Sequence, residues 1–410
     1  MTERSRRPTL REMDEEASVS PLELFFDLVF VFGMTQVTAF MADHLSAEGL
    51  LRGVLIVTLL WWSWTGYAWL DNVVRADEGL MRAVQFLAMG AMFLIALSIP
   101  EAFDDMPGGV SGPVVVALCY FAFRVLHLAL FFLVSREDER LRRQLVRWTP
   151  SVAGGTAVLL TASQFQGPLQ TALWALALVV DYLGTAFAGA SDWRLASPAH
   201  FAERHGLIII VALGESIVAI GVGVVDLPVS GPIFVASVLG LGIAAALWWL
   251  YFDVTALMAE RALSAASREE RSAMGRDAYS FIHLPMVAGI VLGALGLKKV
   301  LEYVGDTEHH ELADALPPPA IAALYGGALL YLLGHVAFKY RTTRLVSVPR
   351  LAASAAVAVL GVAAAALPAL AALGVLTAVL LALVVFETTR WAQVRAEVRA
   401  GSGHPAAETR

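Results

Sequence analysis

The 410-residue chain predicts an all-α polytopic integral membrane protein, with about twelve transmembrane helices in two parallel six-helix repeats. Three observations predict it. At 58% hydrophobic and 16% charged residues, the chain is too apolar for a soluble protein. Its apolar residues form long runs rich in Ala, Leu, Val and Gly rather than short alternating segments, which selects helices over a barrel. Basic residues gather on every second loop, as a chain that crosses a bilayer helix by helix requires.

The first run, 22–42, follows Ser20-Pro21-Leu22-Glu23, which reads as the N-cap, N1, N2 and N3 of a capping box. Capping is one role for Glu23. Asp27, one turn deeper on the same face, has no such role and is the stronger candidate, since a carboxylate in hydrocarbon must face protein or water. Gln36 lies nine residues beyond Asp27, about half a turn around the helix, and is expected against another helix. The second run, 50–70, carries Trp61, Trp62, Trp64, Tyr67 and Trp69, expected as interfacial anchors and packing; Asp71 and Asn72 follow at its inner end. Arg82 precedes most of the third run, 80–99. The fourth, 112–134, holds Arg124, the one basic residue at mid-membrane, with His127 on its face. Cys119, the single cysteine, excludes an intrachain disulfide and reads as a small buried hydrophobe. After the basic stretch Arg136–Arg147, Pro150 opens the fifth run, 149–164. In the sixth, 168–190, Asp181 sits at nearly the depth of Arg124, which predicts a buried ion pair.

The seventh run, 203–224, starts like the first, with Ser197-Pro198 as cap and first residue, then His200, Glu203, Arg204 and His205. Glu215 lies about 14 Å from the outer end by helix rise. It is expected to be paired, protonated or in contact with water, while Gly214, Gly221 and Gly223 read as close helix packing. The eighth run, 231–256, contains Trp248-Trp249 and Asp253. His283 belongs to the ninth, 279–299, and His335 to the tenth, 319–340. Several histidines accompanied by carboxylates raise proton exchange as a role, because histidine titrates near neutrality. If their helices converge, Asp27, Asp71 and Asp253 with His200 and His283 form an acidic cytoplasmic vestibule. The last two runs, 350–366 and 369–389, hold little polar beyond Ser354 and Thr377 and read as scaffold.

With the N-terminus placed in the cytoplasm, 25 of the 29 basic residues fall on cytoplasmic segments, and both ends lie inside. The chain also looks duplicated. Trp61-Trp62 matches Trp248-Trp249, Arg82 matches Arg276, His127 matches His335 and Pro150 matches Pro349. Six helices return the chain to its starting side, so the repeats, 20–190 and 191–390, are parallel. The polar tails 1–19 and 391–410 are expected to be flexible. The first 20 residues carry nine charges and no apolar core, so no cleavable signal peptide is expected. In the loop Glu302–Pro319, His309-His310 lacks metal-ligand spacing and reads as part of a solvated acidic loop. The net charge of −7 is scattered over short loops and points to no nucleic acid. No P-loop, nucleophile elbow or zinc-protease motif occurs, and no cofactor or metal is expected.

Two stretches carry a resemblance. Ser20-Pro21-Leu22-Glu23-Leu24-Phe25-Phe26-Asp27 with the apolar residues after it, and Glu203-Arg204-His205-Gly206-Leu207 running on to Gly214-Glu215-Ser216, resemble the bacterial low temperature requirement protein A family. The likeness extends from the first helix to about residue 390. The family is named for a growth phenotype in the cold, and the resemblance marks Glu23, Asp27, Glu203, Gly214 and Glu215 as candidates without assigning roles. His205 departs from the pattern, which has an apolar aromatic there.

Ionisable residues inside repeated apolar helices point to a secondary transporter or channel-like permease for a small solute or cation in the bacterial inner membrane, with proton coupling expected. Its expected polar centre is Asp27, Glu215, Arg124, Asp181 and His127, with Glu23, Glu203 and Gln36 beside it and Asp71, Asp253, His283 and His335 as secondary candidates. The expected surroundings are lipid and the transported solute or ion, with a homo-oligomer as a permitted assembly. The alternative is a membrane sensor or assembly factor acting through a protein partner. An intramembrane enzyme ranks below both, because the spacing of Asp71, Asp253, His200 and His283 does not demand one.

Overall fold

Ser20 and Glu23 close the capping box that starts the first helix. The Ser20 N–H donates to Glu23 Oε2 at 2.7 Å, and the Glu23 N–H to Ser20 Oγ at 3.4 Å. Proline at the first helical position loses no bond, and α1 runs Pro21–Asp43. The computed structural model describes residues 18–75, 79–190, 192–225 and 227–400. Most of the two expected tails, 1–17 and 401–410, lies outside them.

Helices follow in the expected order: α2 (Ala47–Asp71), α3 (Gly79–Leu97), α4 (Gly112–Val134), α5 (Glu139–Ala162), α6 (Gly167–Ala188), α7 (Pro198–Val222), α8 (Gly231–Phe252), α9 (Thr255–Ala265), α10 (Arg268–Met274), α11 (His283–Gly305), α12 (Pro318–Thr343), α13 (Val348–Ala364), α14 (Ala369–Arg390) and α15 (Ala392–Arg399). A π-helical stretch, Gly275–Phe281, joins α10 to α11. Among the described residues, ten helical stretches are long and apolar enough to cross a membrane, as a polytopic membrane protein requires. Two expected runs stand apart from these ten. The 24-residue α5 carries Glu139, Arg140, Arg142, Arg143 and Arg147 in its first turns. The 17-residue α13 spans only about 25 Å by helix rise. The connection between the eighth and ninth runs is largely helical, through α9 and α10. Part of the expected C-terminal tail is helix α15.

The described residues form two compact units. The first takes residues 18–36, 55–204 and 266–273; the second takes 37–54, 205–265 and 274–400. In the first, α5 lies along α6 and α3 along α4. Its core bears out one half of an expectation, packing, and corrects the other, anchoring. Trp61, Trp62, Trp64, Tyr67 and Trp69 are buried in protein rather than interfacial. Each ring has a protein neighbour: Trp61 packs on Trp64 at 5.2 Å, Trp62 stacks on Tyr182 at 4.0 Å, and Trp69 meets Phe201 at 5.0 Å. The matching Trp248 and Trp249 are exposed on the protein surface, at 43% and 37%.

In the second unit α11 packs along α12, α13 lies on α12, and α14 on α8. Glycine sets the first of these contacts. A Cβ at Gly289 would stand 2.5 Å from the Gly327 carbonyl oxygen, and one at Gly327 would stand 2.5 Å from that of Gly289. The two backbones touch, as small residues allow in membranes. Gly223 is also closely packed, whereas Gly214 and Gly221 face no neighbour within 4 Å, so the glycines around Glu215 are not all packing residues.

Candidate functional site

Two carboxylates meet one guanidinium inside the first unit, and a third carboxylate, Asp71, interacts with them electrostatically. Glu23 and Asp27 come from α1, Asp71 from the end of α2, and Arg204 from the second turn of α7; none is more than 2% exposed. The capping box fixes Glu23 Oε2, which leaves Oε1 facing His200 Nε2 at 2.9 Å and Arg204 Nε at 3.9 Å. Capping and site roles therefore coexist in this residue. Asp27 Oδ1 accepts from Trp64 Nε1 at 2.8 Å and lies 3.2 Å from Arg204 Nη2, with the guanidinium over the Trp64 ring at 5.5 Å. Asp71 Oδ1 accepts from Gln85 Nε2 at 2.6 Å.

Asn72 holds α7 in place. Its Oδ1 accepts from the Ala196 and Ser197 N–H groups at 2.7 and 3.2 Å, and its Nδ2 donates to the Ser197 carbonyl at 2.6 Å. That orientation aims Nδ2 at His200 Nδ1, 3.4 Å away, so the ring accepts there and carries its proton on Nε2, toward Glu23. Several buried groups lack a hydrogen-bond partner among the described residues: Asp27 Oδ2, Asp71 Oδ2, Gln85 Oε1 and the guanidinium nitrogens of Arg204. Native interiors satisfy nearly all buried polar groups, so these atoms call for water, an ion or a proton, as do Arg124 Nε and His127 Nδ1 elsewhere in the unit. Arg204 pairs with its acids by charge rather than through aligned bonds.

The second cluster in this unit pairs its charges directly, with Arg124 Nε and His127 Nδ1 left without a hydrogen bond among the described residues. Arg124 Nη2 donates to both Asp181 oxygens at 3.1 and 3.0 Å, Tyr120 O–H donates to Oδ2 at 3.1 Å, and the Trp148 face lies 5.0 Å from the guanidinium. The expected pair is present, and Asp181 already occupies Arg124. His127 Nε2 donates to the Gly66 carbonyl at 2.9 Å. A Cβ at Gly66 would come within 2.8 Å of that ring, which is why glycine stands there.

Other candidates separate. Glu203 is exposed and accepts from the Val19 N–H at 3.2 Å; one step of helix rotation from the buried Arg204 turns it to the surface. Gln36 is half-buried. In the second unit Glu215 is buried, His283 Nδ1 donates to the Ala278 carbonyl at 3.0 Å, and its Nε2 accepts from Tyr251 O–H at 2.9 Å. His335 is met by Arg350, which also forks onto Glu387 at 2.7 and 2.9 Å. Asp253 is bonded by Arg395 and Arg399 from α15, so the proposed vestibule residue is committed to cations of its own unit. His309 lies 2.9 Å from Asp306 on the surface, and among the described residues no His, Cys, Asp and Glu group could hold a metal ion.

Compared with known families, residues 18–385 match the bacterial low temperature requirement A protein. The chain belongs to the LtrA family. It is also 28% identical, over 345 residues covering 82% of this chain and 80% of the relative, to the uncharacterized protein RA0937 of Rhizobium meliloti strain 1021. No solved structure matches. In this LtrA protein, Glu23 and Asp27 of the first motif meet Arg204 of the second. Sequence reasoning noted Arg204 and His200 at the start of the seventh run but counted Arg204 with the cytoplasmic segments, read Trp64 as an anchoring and packing residue, and missed Gln85. The available signal was the pair of matching starts, Ser20-Pro21 and Ser197-Pro198, which puts charged first turns at the same level of two helices.

Proposed function

We propose that this LtrA protein is a secondary transporter or channel-like permease for a small cation or solute, with the Glu23, Asp27, Asp71 and Arg204 cluster as its ion-handling site. One observation carries the reading: two buried carboxylates face a single buried guanidinium, a third buried carboxylate, Asp71, is near enough to interact electrostatically with it, and Asp27 and Asp71 each keep an oxygen without a partner among the described residues. In low dielectric that excess negative charge is costly, and a proton relieves it. A site that is stable only when loaded is what a coupled transporter needs. Arg124 and Asp181, expected in the polar centre, act instead as an internal brace. Glu215 stays a pathway candidate of the second unit. The wider reading keeps twelve spans, six plus six in parallel repeats, with both ends cytoplasmic in the bacterial inner membrane and no enzymatic role.

Flux in liposomes reconstituted with the full chain tests it. Gradients of H⁺, Na⁺ and K⁺ are imposed in turn, and folding of every variant is checked by gel filtration. Ion-dependent flux is expected, and Asp27→Asn and Asp71→Asn should each abolish it or change its ion dependence while leaving a folded protein. No flux under any gradient, or wild-type flux in both variants, overturns the proposal.

A further inference from the structure

The second unit holds a cavity of about 200 Å³ where α8 and α14 end, α12 runs out and α13 begins. Its lining is unusual for membrane protein. Lys339, Arg350 and Arg395 contribute three cations against the carboxylates of Asp253 and Glu387. Arg399 adds a fourth cation at Asp253. The walls are built rather than incidental: Arg350, Thr255 and Ser347 are buried, with Arg350 Nη1 donating to Thr255 Oγ1 at 3.2 Å. The two arginines are fixed by their acids, Arg350 by Glu387 and Arg395 by Asp253 at 2.7 Å, with Arg395 also against the Trp249 ring at 5.7 Å. The first turn of α13 adds its positive dipole end to the same space.

Beside this cationic pocket the rim is apolar. Val346 and Val348 are 54% and 69% exposed, and Trp249 is partly exposed. Positive charge in a cavity at the ends of membrane-spanning helices, with a greasy lip, matches an anion that carries a hydrocarbon tail. We propose that this cavity binds a phosphate-bearing anion, supplied by the headgroup of an anionic phospholipid, with its acyl chain leaving over Val346 and Val348.

Lipid retention by the purified full chain tests this. The detergent-solubilised protein is offered phosphatidylglycerol, phosphatidylcholine or inorganic phosphate and examined by native mass spectrometry. Phosphatidylglycerol should be retained over phosphatidylcholine. Lys339→Gln should lower that retention about fivefold, the effect of one cation near a headgroup. Lys339→Arg should keep it, and Val346→Trp, which narrows the mouth without removing charge, should lower it for lipid only. Saturable inorganic phosphate binding that Lys339→Gln weakens, without preference among the lipids, would support the anion site and assign it to the free anion. Equal retention of the two lipids together with no phosphate binding, or retention unchanged in Lys339→Gln, overturns the proposal.

Discussion

Arg124 and Arg204 are both wholly buried guanidiniums, yet their surroundings set them to different work. Arg124 has one carboxylate with both oxygens in reach and two aromatic faces, so its charge is matched by a single acid. Removing either member of that pair strands a buried charge and should cost about 3–5 kcal/mol. Thermal unfolding in detergent should therefore show Arg124→Leu and Asp181→Leu each strongly destabilised, and the double variant better tolerated than either; additive losses would refute the coupling. Gly66→Ala forces a methyl against the His127 ring and should destabilise by roughly 1–3 kcal/mol, the usual cost of overpacking, read in the same assay. Asp27 was legible in the sequence because an acid stood alone in an apolar run. Arg204 was not, because it follows Glu203 near a helix start, where depth is ambiguous and the face decides. One residue of rotation separates the exposed Glu203 from the buried Arg204. Partner residues such as Gln85 come from another helix, and nothing local announces them.

Caps and lengths made the elements readable, since Ser-Pro starts recur at α1 and α7 and apolar runs end where charges gather. What stayed hidden was the continuation of helix through charged segments: α9, α10 and α15 form where composition looks like loop. Tertiary contacts accompany them, as when α15 places Arg395 on Asp253 and α9 buries Met258, Ala259 and Leu263. Helix contacts were equally hidden, because a glycine in sequence carries no address. Gly326 and Gly327 are neighbours, yet a Cβ on Gly326 meets nothing within 4 Å and one on Gly327 meets the backbone of α11. Gly326→Ala should leave the protein monodisperse with unchanged thermal stability. Gly327→Ala should separate α12 from α11 and lower the yield of folded protein in fluorescence-detected gel filtration. Equal behaviour of the two variants would contradict the close crossing.

At the scale of the whole molecule, class was plain from composition, while the division into compact units was not, because it cuts α1, α2 and α7 internally. The loop-charge asymmetry loses Arg204 and Arg350, both buried, but survives without them. The proposed map, twelve crossings with both ends inside, implies a definite labelling pattern. In a Cys119→Ser background, single cysteines at Asp104 and Glu308 should react with an impermeant thiol reagent from outside, and cysteines at Arg140 and Arg268 only after permeabilisation. Reversal at any position overturns the map. The clasp of α15 on Asp253 bears, finally, on the order of biogenesis. Arg395 is made 142 residues after its acid. At about 5–20 residues per second, Asp253 waits on the order of 10 s for its arginines. During that interval the nascent second unit carries an uncompensated acid at the end of α8. The charge balance at that site is therefore completed by α15, only after α9 to α14 have all been made.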